Sequence, residues 1–215
     1  MNCATAARQL RVKGATLRFR GWHFGFMDTA FYLIRACWII FGAVWILAAI
    51  WTKRAVYRES RAQRLAYSLL LFAGCYLVFR AQRFNYPLNL RVLPANAVIA
   101  WIAAVLCLAG LGFSIWARFI LGRNWSGTVT LKEGHELIQR GPYRLVRHPI
   151  YTGLLVMIIA TALAFGHIIG FAGVLLAFAS FWIKLGHEEK VLLKQFPEQY
   201  RAYQQRVKRI IPFVL

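Results

Sequence analysis

The chain has 215 residues, of which 60% are apolar, and its mean hydropathy is positive at +0.51. An ordinary water-soluble domain of this length carries a smaller apolar share, so the composition indicates an integral membrane protein. The formal net charge is +20, but the basic residues lie mostly between and beside apolar runs, where they face lipid headgroups. Nucleic acid is therefore not an expected partner.

The first two regions of the chain differ in character. Residues 1–27 form a basic arm that lacks the apolar core of a signal peptide. Residues 28–120 hold three apolar runs, at 31–51, 65–79 and 97–117, which predict transmembrane helices. The second run is short for a hydrocarbon core of ~30 Å, so a buried or re-entrant segment is the alternative there.

Residues 121–215 form the third predicted region. A short extended piece at 128–131 leads to an apolar run at 149–183, which is too long for one crossing and just sufficient for two. The polar break at Gly166-His167 predicts a tight hairpin of two short spans. Gly166 and Gly170 have the small-x-x-x-small spacing that permits close helix contact.

The apolar residues after Gly186 recur at steps of three and four, which predicts an amphipathic surface helix. Pro197 is expected to begin a second helical segment there. The predicted fold is therefore an all-α integral membrane protein with about five transmembrane helices, a C-terminal helical hairpin and an amphipathic interfacial helix. The distribution of Lys and Arg places the C-terminal tail on the cytoplasmic side, with a bacterial inner membrane as the expected location.

The cysteines do not indicate a disulfide framework or a zinc site. Cys3, Cys37, Cys75 and Cys107 form no C-x-x-C pair, and the last three lie inside apolar segments. We interpret them as small buried hydrophobic residues.

Two polar clusters, at 134–153 (GHELIQRGPYRLVRHPIYTG) and 184–189 (KLGHEE), carry the chemistry of the chain. The uncharged hairpin between them returns the second cluster to the membrane face of the first, so they are predicted to meet in one site. Arg147, His148 and Pro149 open a helix whose N-terminus favours an anion. The adjacent carboxylates of Glu188 and Glu189 repel each other unless a cation lies nearby.

Two sources of that cation are open. One is structural pairing with Arg144 or Arg147, and the other is a ligand that bears an ammonium or sulfonium group. A metal cluster of His135, His148 and His187 is disfavoured because no pair has the helical spacing of a zinc motif.

The quoted cluster, the downstream H-E-E, the P-E-Q-Y and the closing R-I-I-P resemble the isoprenylcysteine carboxyl methyltransferase family, which is related to the phospholipid N-methyltransferases. The resemblance covers the last 90 or so residues. It implies a membrane enzyme that uses S-adenosylmethionine, yields S-adenosylhomocysteine, and takes a lipid-linked small-molecule acceptor from the bilayer. Besides that acceptor, membrane lipids are the expected partners.

The resemblance also implies site residues. The expected catalytic residues are Lys184, Arg147 and Glu189, and Lys184 stands where the family usually has an arginine that holds the acceptor carboxylate. Lysine keeps the charge but lacks the two-pronged geometry that suits a carboxylate. The expected cofactor-binding residues are Thr128, His135, Glu136, Leu137, Ile138, Tyr143, His148, Pro149, Ile150, Tyr151, Gly153 and Glu188.

The implied reaction is in-line displacement at the sulfonium methyl group. A carboxylate acceptor is already a nucleophile at neutral pH, whereas an amine acceptor needs a base such as Glu189 or His148. Phospholipid N-methylation is the closest alternative function. A membrane sterol or enone reductase that uses NADPH has a similar R-H-x-x-Y-x-G signature, and a non-enzymatic membrane protein is the third alternative.

Overall fold

The computed structural model describes residues 27–50, 55–58, 60–122, 125, 130–132 and 137–214. The helices within them are α1 (Met27–Ala49), α2 (Arg61–Phe79), α3 (Ala97–Leu121), α4 (Pro149–Phe165), α5 (Ile168–Gln195) and α6 (Pro197–Arg206). Two short strands, β1 (Ala55–Arg58) and β2 (Thr130–Lys132), pair antiparallel. The predicted helical membrane fold is confirmed, and the basic arm lies outside the described residues. The predicted division into three regions stays a prediction.

Four described helices, α1, α2, α3 and α5, are long and apolar enough to cross a membrane. Helix α4 has 17 residues, about 26 Å at ~1.5 Å per residue, and is the short apolar partner of α5. Helix α5 has 28 residues, about 42 Å, so its last turns extend beyond a hydrocarbon core of ~30 Å. The hairpin therefore joins one short and one long helix, rather than the two short spans that the sequence predicted.

The predicted amphipathic helix after Gly186 is in fact the end of α5. Helix α5 continues through Gly186 because one glycine costs only about 1 kcal/mol in a helix interior and the next proline is Pro197. That proline is the first residue of α6, as predicted.

Helix α4 lies at the centre of the described structure. On one side it packs with α1 and α3 around Ile34, Cys107 and Met157, and on the other with α2 and α5 around Ile158 and Phe181. A helix that is apolar all round is expected in such a buried position. Trp38 of α1 also donates a hydrogen bond of 3.0 Å from Nε1 to Oγ1 of Thr161 on α4.

The closest helix contacts occur at glycines. A Cβ atom on Gly153 of α4 would lie 2.2 Å from Ser114 Oγ and 2.4 Å from the carbonyl oxygen of Gly110 on α3. Gly74 of α2 and Gly173 of α5 meet in the same way, with Cβ positions 2.6 and 2.5 Å from each other's carbonyl oxygens. Because larger side chains do not fit at these crossings, the glycines allow the backbones to approach.

The glycines that the sequence suggested for helix contact have other positions. Gly166 ends α4 in the left-handed conformation with φ of 69°, which suits a helix C-terminus. A Cβ on Gly170 would make only ordinary contacts, at 3.8 Å and beyond. Spacing alone did not identify the close contact, because the partner residues lie on helices distant in sequence.

The structure agrees with the interpretation of Cys37, Cys75 and Cys107 as small hydrophobic residues within the helices. Cys37 and Cys107 are buried in the core between α1, α3 and α4, and Cys75 is half-buried. All three are free thiols in the described part of the chain, and Cys3 lies outside it.

The chain after α6 packs beside the turn that precedes α4. Residues Val146 and Lys208 form a parallel bridge. The backbone N–H groups of Arg147 and His148 donate to the carbonyl oxygens of Lys208 and Arg209, at 2.8 and 3.0 Å. This pairing closes the site from the C-terminal side.

Candidate active site

A cavity of about 520 Å³ lies between α1, α2, α4, α5 and α6. Its outer wall is apolar and includes Phe41 and Trp45 of α1 and Leu71 and Phe72 of α2. Its inner wall is polar and carries side chains from both clusters that the sequence singled out. The cavity therefore joins a lipid-like surface to a charged one.

The turn before α4 positions the first polar cluster. Gly141 has a φ of 62°, a conformation that favours glycine, and a 3-10 helix at Gly141–Arg144 follows with Pro142 and Tyr143 buried. His148 then caps α4, and Pro149 is the first residue of the helix.

The helix N-terminus is not open to an anion in the way the sequence suggested. Pro149 has no N–H, His148 donates to the Arg209 carbonyl, and the N–H groups of Tyr151 and Thr152 donate to the His148 carbonyl at 3.1 Å each. These donors of the first turn are used by the chain itself, so they contribute little to ligand binding.

His148 joins the two clusters. Its Nε2 lies 3.2 Å from Glu189 Oε1 and its Nδ1 lies 3.6 Å from Glu188 Oε2. The imidazole is buried between the two carboxylates. The prediction that the histidine-proline turn and the twin glutamates meet in one site is confirmed.

Glu189 is held by the protein itself. Arg147 donates from Nε and Nη2 to Oε1, at 3.0 and 2.9 Å. On Oε2 the carboxylate accepts from Arg209 Nη2 at 2.5 Å and from Gln204 Nε2 at 3.3 Å. Glu189 is only 3% exposed and does not line the cavity. Structural pairing, one of the two cation sources left open by the sequence, accounts for this carboxylate.

The expected catalytic roles of Arg147 and Glu189 stay predictions, and in the structure both side chains are paired within the protein. All three guanidinium nitrogens of Arg147 donate within the protein, because Nη1 also binds the carbonyl oxygens of Gln204 and Val207. A carboxylate with both oxygens paired to arginines stays ionised and is a poor base. We assign both residues to holding the C-terminal segment against α4 and α5.

Glu188 has a different environment. It accepts a hydrogen bond of 2.6 Å from the Tyr151 hydroxyl on Oε1, and its side chain is 20% exposed and lines the cavity. No arginine pairs with it among the described residues. A carboxylate in this position favours a positively charged ligand.

Lys184 lies one turn before Glu188 on α5 and lines the same cavity. Its Nζ lies 5.3 Å from the ring centroid of Tyr67 and 5.4 Å from that of Tyr151. Aromatic faces stabilise an ammonium group without neutralising it. The Lys184 ammonium group therefore lies beside two aromatic rings on the cavity wall.

Three buried tyrosines complete the inner wall. Burial raises the pKa of the Tyr143, Tyr200 and Tyr203 phenols, so they are neutral at physiological pH. Tyr203 donates to the Tyr143 carbonyl oxygen at 2.5 Å. Tyr200 lines the cavity at 1% exposure, and its hydroxyl has no hydrogen-bond partner within the described structure.

The structure brings most of the expected site residues together. The cavity wall contains Leu137, Ile138, Tyr143, Arg147, His148, Ile150, Tyr151, Lys184 and Glu188. Pro149 is buried behind it, and Gly153 packs closely against α3, so its predicted cofactor contact stays a prediction. Thr128, His135 and Glu136 lie outside the described residues. No group of His, Cys, Asp and Glu in the described ranges is arranged to hold a metal ion.

Sequence reasoning missed several residues of the site. Tyr200 belongs to the P-E-Q-Y motif, and Arg209 belongs to R-I-I-P, but neither was given a role. Arg64 of α2 lines the cavity, and the sequence analysis gave it no role there. The quoted motifs contained a signal for the first two residues, whereas only helix packing identifies the third.

Residues 101–194 match the model of the isoprenylcysteine carboxyl methyltransferase family. The matched stretch covers less than half of the 215 residues. It contains the turn before α4, all of α4 and both glutamates of α5, and therefore includes much of the inner wall of the cavity.

The sequence is similar to those of two types of methyltransferase. A probable protein-S-isoprenylcysteine O-methyltransferase of Oryza sativa subsp. indica is 27% identical over 119 residues, which are 54% of this chain and 62% of that protein. Methanethiol S-methyltransferase 1 of Bradyrhizobium diazoefficiens is 40% identical over 72 residues, which are 33% of this chain and 24% of that protein. The chain thus covers less than two thirds of either relative.

A solved structure of the eukaryotic intramembrane Ras methyltransferase ICMT superposes with a TM-score of 0.52 at 24% sequence identity. The match covers 74% of this chain and 55% of that chain. At this sequence identity, the similarity of the two structures shows a shared fold. Together with the apolar helices, it shows a multi-pass integral membrane protein.

Proposed function

We propose that the protein is an S-adenosylmethionine-dependent membrane methyltransferase that O-methylates the carboxylate of an isoprenylated cysteine or a similar lipid-linked acid. The observation that carries this proposal is the cavity in which Glu188, Lys184 and an apolar wall face one another. Such a space accepts a cation at one point, an anion at another and a hydrocarbon chain beside them. The match to the family model and the similarity to the rice protein, a probable protein-S-isoprenylcysteine O-methyltransferase, support the same reaction.

The residues present fit the cofactor. The volume of about 520 Å³ lies within the range of ~300–1,000 Å³ that is typical of small-molecule sites. Glu188 offers a carboxylate to a positive group, and the unpaired Tyr200 hydroxyl offers a donor to a polar one. When bound, S-adenosylmethionine supplies an electrophilic methyl group on its sulfonium. Leu137, Ile138, Tyr143, His148, Ile150, Tyr151 and Glu188 would hold it.

The protein's own groups favour a carboxylate acceptor over an amine. An amine must lose a proton before it reacts, which requires a base. Both oxygens of Glu189 are engaged by arginines, and both ring nitrogens of His148 face glutamate carboxylates of the protein. A carboxylate needs no base, so positioning by Lys184 and exclusion of water by the apolar wall are sufficient.

The apolar wall suits the lipid part of the acceptor. Phe72 is 74% exposed and faces outward where α2 borders the cavity, so a hydrocarbon chain can enter from the bilayer. Membrane lipids are the other partners on this surface.

We further propose that the site faces the cytoplasm of a bacterial inner membrane. The ends of α3, α5 and α6 on the site side carry Arg118, Lys190, Lys194 and Arg206. Positive charge is enriched on the cytoplasmic side of membrane proteins. In a bacterial host, a fluorescent protein fused after Leu215 is expected to be fluorescent, and alkaline phosphatase at the same point is expected to be inactive. The reverse result would contradict this orientation.

Binding of S-adenosylhomocysteine to the purified full chain tests the cofactor. Calorimetry in detergent is expected to give saturable binding of S-adenosylhomocysteine and none of NADPH. The reductase alternative predicts the opposite, since the paired glutamates are a poor fit to a dinucleotide phosphate. Absence of S-adenosylhomocysteine binding would overturn the proposed function.

The acceptor class needs a second measurement. The protein is incubated with S-adenosylmethionine labelled in its methyl group and, separately, with an N-acetylated prenylcysteine, phosphatidylethanolamine or methanethiol. Base-labile label in the prenylcysteine product, detected by mass spectrometry, is the expected result. Label in phosphatidylethanolamine alone would indicate N-methylation, and label in methanethiol alone would indicate S-methylation.

A further inference from the structure

The R-I-I-P motif at 209–212 has no role in the proposed reaction, yet it packs against the site. Four successive carbonyl oxygens, those of residues 207–210, accept hydrogen bonds from the turn before α4 and from its first residues. The donors are a guanidinium nitrogen of Arg147, its backbone N–H, the His148 N–H and the Thr152 hydroxyl, the last three at 2.8, 3.0 and 2.7 Å. The start of α4 is therefore held by this part of the chain.

Ile210 anchors the same segment through apolar contacts. Its side chain is 1% exposed and belongs to the core cluster that contains Ile158 of α4 and Phe181 of α5. Burial of such a side chain is strongly favourable, and the backbone hydrogen bonds add to it. The segment thus has attachments that do not depend on the Arg209 side chain.

The Arg209 side chain makes its own contacts with α5. Its Nη2 donates to Glu189 Oε2 at 2.5 Å, and its guanidinium carbon lies 4.4 Å from the centre of the Trp182 ring. Trp182 and Glu189 lie on the same face of α5, because they are separated by two helical turns. Arg209 is therefore held between an aromatic ring and a carboxylate, both of which favour a guanidinium.

Glu189 connects Arg209 to the cavity. Its Oε1 lies 3.2 Å from His148 Nε2, and Nδ1 of the same imidazole lies 3.6 Å from Glu188 Oε2. His148 and Glu188 line the cavity, whereas the described residues that line it do not include Arg209 or Glu189. Arg209 thus reaches the ligand space only through other side chains, and any effect on a ligand passes through His148 and Glu188.

Arg147 does not by itself determine the orientation of the Glu189 carboxylate. Both of its donors to this group, Nε and Nη2, end on Oε1 at 3.0 and 2.9 Å. An arginine and a carboxylate that pair alone prefer two parallel hydrogen bonds, one to each oxygen. Arg209 prevents that arrangement because it holds Oε2, where Gln204 adds only a longer, uncharged bond of 3.3 Å. Without Arg209, the carboxylate can turn its second oxygen to Arg147 and move away from His148.

We propose that Arg209 is a positioning residue for cofactor binding. It keeps Glu189 turned toward His148, so that His148 and Glu188 form the wall that receives the positive end of the cofactor. This inference rests on the proposed function and adds a residue behind the cavity to those that determine cofactor affinity. The competing explanation is that Arg209 only fastens the C-terminal segment to α5, in which case its loss changes stability and leaves the cavity wall as it is.

Two further substitutions make the test specific. Arg201→Ala is the matched control, because Arg201 is an exposed arginine of α6 and its loss removes the same charge from the same end of the chain. Arg209→Lys is the conservative variant, since it keeps a positive donor for Glu189 Oε2. A positioning role predicts loss in Arg209→Ala and recovery in Arg209→Lys.

The first measurement is calorimetry with S-adenosylhomocysteine on the full chain in detergent, at a temperature at which circular dichroism shows every variant to be folded. Arg209→Ala is expected to bind about three- to tenfold more weakly than wild type, Arg209→Lys within about twofold, and Arg201→Ala equally. In a Glu188→Gln background, Arg209→Ala is expected to cost less than about twofold, because both residues act through one network. Unchanged affinity in Arg209→Ala, an equal loss in Arg201→Ala, or the same loss in both backgrounds would each overturn the inference.

The second measurement needs no ligand and separates this inference from the proposed function. Nuclear magnetic resonance of histidine-labelled protein, assigned with His148→Gln, reports the surroundings of the His148 ring. Arg209→Ala is expected to shift these signals, and Arg201→Ala to leave them in place. Unshifted signals in Arg209→Ala would overturn the positioning role even if wild type binds S-adenosylhomocysteine. Shifted signals in a protein that does not bind S-adenosylhomocysteine would overturn the proposed function and still support the effect of Arg209 on His148.

A variant that retains a donor guards against loss of folding. If Arg209→Ala does not fold, Arg209→Gln takes its place in both measurements, since its amide can still donate to Glu189 but lacks the charge. The same results are expected of it, and the same outcomes would overturn the inference.

Discussion

Arg147 holds Glu189 through hydrogen bonds of 3.0 and 2.9 Å that both end on the carboxylate oxygen Oε1. This contact separates two glutamates that are neighbours in sequence. Glu189 turns toward the C-terminal segment and becomes part of the buried structure, whereas Glu188 turns toward the cavity. Successive residues on a helix point in directions about 100° apart, so adjacent carboxylates reach different surroundings.

Glu189→Ala is expected to destabilise the protein severely. Removal of this carboxylate leaves Arg147 and Arg209 without a counter-charge near the base of α4, and breaking a buried pair costs about 3–5 kcal/mol. Thermal unfolding in detergent measures the loss. An unfolding temperature equal to that of the wild type would contradict the structural assignment of Glu189.

Glu188→Gln is expected to weaken S-adenosylhomocysteine and S-adenosylmethionine binding unequally. The substitution keeps the shape and an acceptor for the Tyr151 hydroxyl but removes the charge that faces the cavity. Loss of a charge-assisted contact costs about 1.5–3 kcal/mol, or about 10- to 150-fold in affinity, and the sulfonium form should lose more. Calorimetry with both ligands measures this difference. Equal losses for the two ligands would place the carboxylate away from the sulfonium.

Tyr200→Phe separates ligand binding from stability. The hydroxyl has no partner in the described structure, so its removal leaves no broken internal bond and the unfolding temperature is expected to stay level or rise slightly. Cofactor affinity is expected to fall by about 3- to 10-fold, since the bound ligand loses a donor. Unchanged affinity in a titration would show that this hydroxyl does not contact the cofactor.

Gly153→Ala is expected to destabilise the protein by about 1–3 kcal/mol, because the new methyl group would lie 2.2 Å from Ser114 Oγ and 2.4 Å from a backbone oxygen. Gly112→Ala is the matched control on α3, since no atom lies within 4 Å of its Cβ position. The control is expected to be neutral or stabilising, as alanine favours helix more than glycine does. Equal unfolding temperatures for the two variants would contradict the close crossing of α3 and α4.

Much of the membrane architecture could be predicted because it depends on local composition. The run at 97–117 predicted α3, although the helix continues to Leu121. The extra turn is possible because Arg118 is buried and donates hydrogen bonds of 2.7 Å from its guanidinium to the carbonyl oxygens of Ala48 and Gly122. Part of the Arg118 guanidinium is therefore paired with a carbonyl oxygen on a helix that is distant in sequence, and no local pattern reveals such a contact.

The location of the candidate site could be predicted from the sequence. The different surroundings of Glu188 and Glu189 could not. The motif with His148 and the pair of glutamates identified the polar wall, and the uncharged hairpin between them required that they meet. Periodicity did not show which glutamate faces Arg147, because that depends on the rotation of α5 against the C-terminal segment. Nor did it show that Arg64, over 100 residues away in sequence, shares the cavity with Lys184.

By itself, the amino-acid sequence determined that this chain enters a membrane, where its apolar runs lie and which two polar segments share a face. These properties follow from the free energy of transferring side chains to lipid, which adds up along the chain. Only the tertiary structure decided that Glu189 and Arg147 bind each other, that Gly153 serves a helix crossing and that Glu188, Lys184 and Arg64 face one cavity. Those contacts depend on the distances between helices. The helices come from distant parts of the chain, so no local stretch of sequence determines these distances.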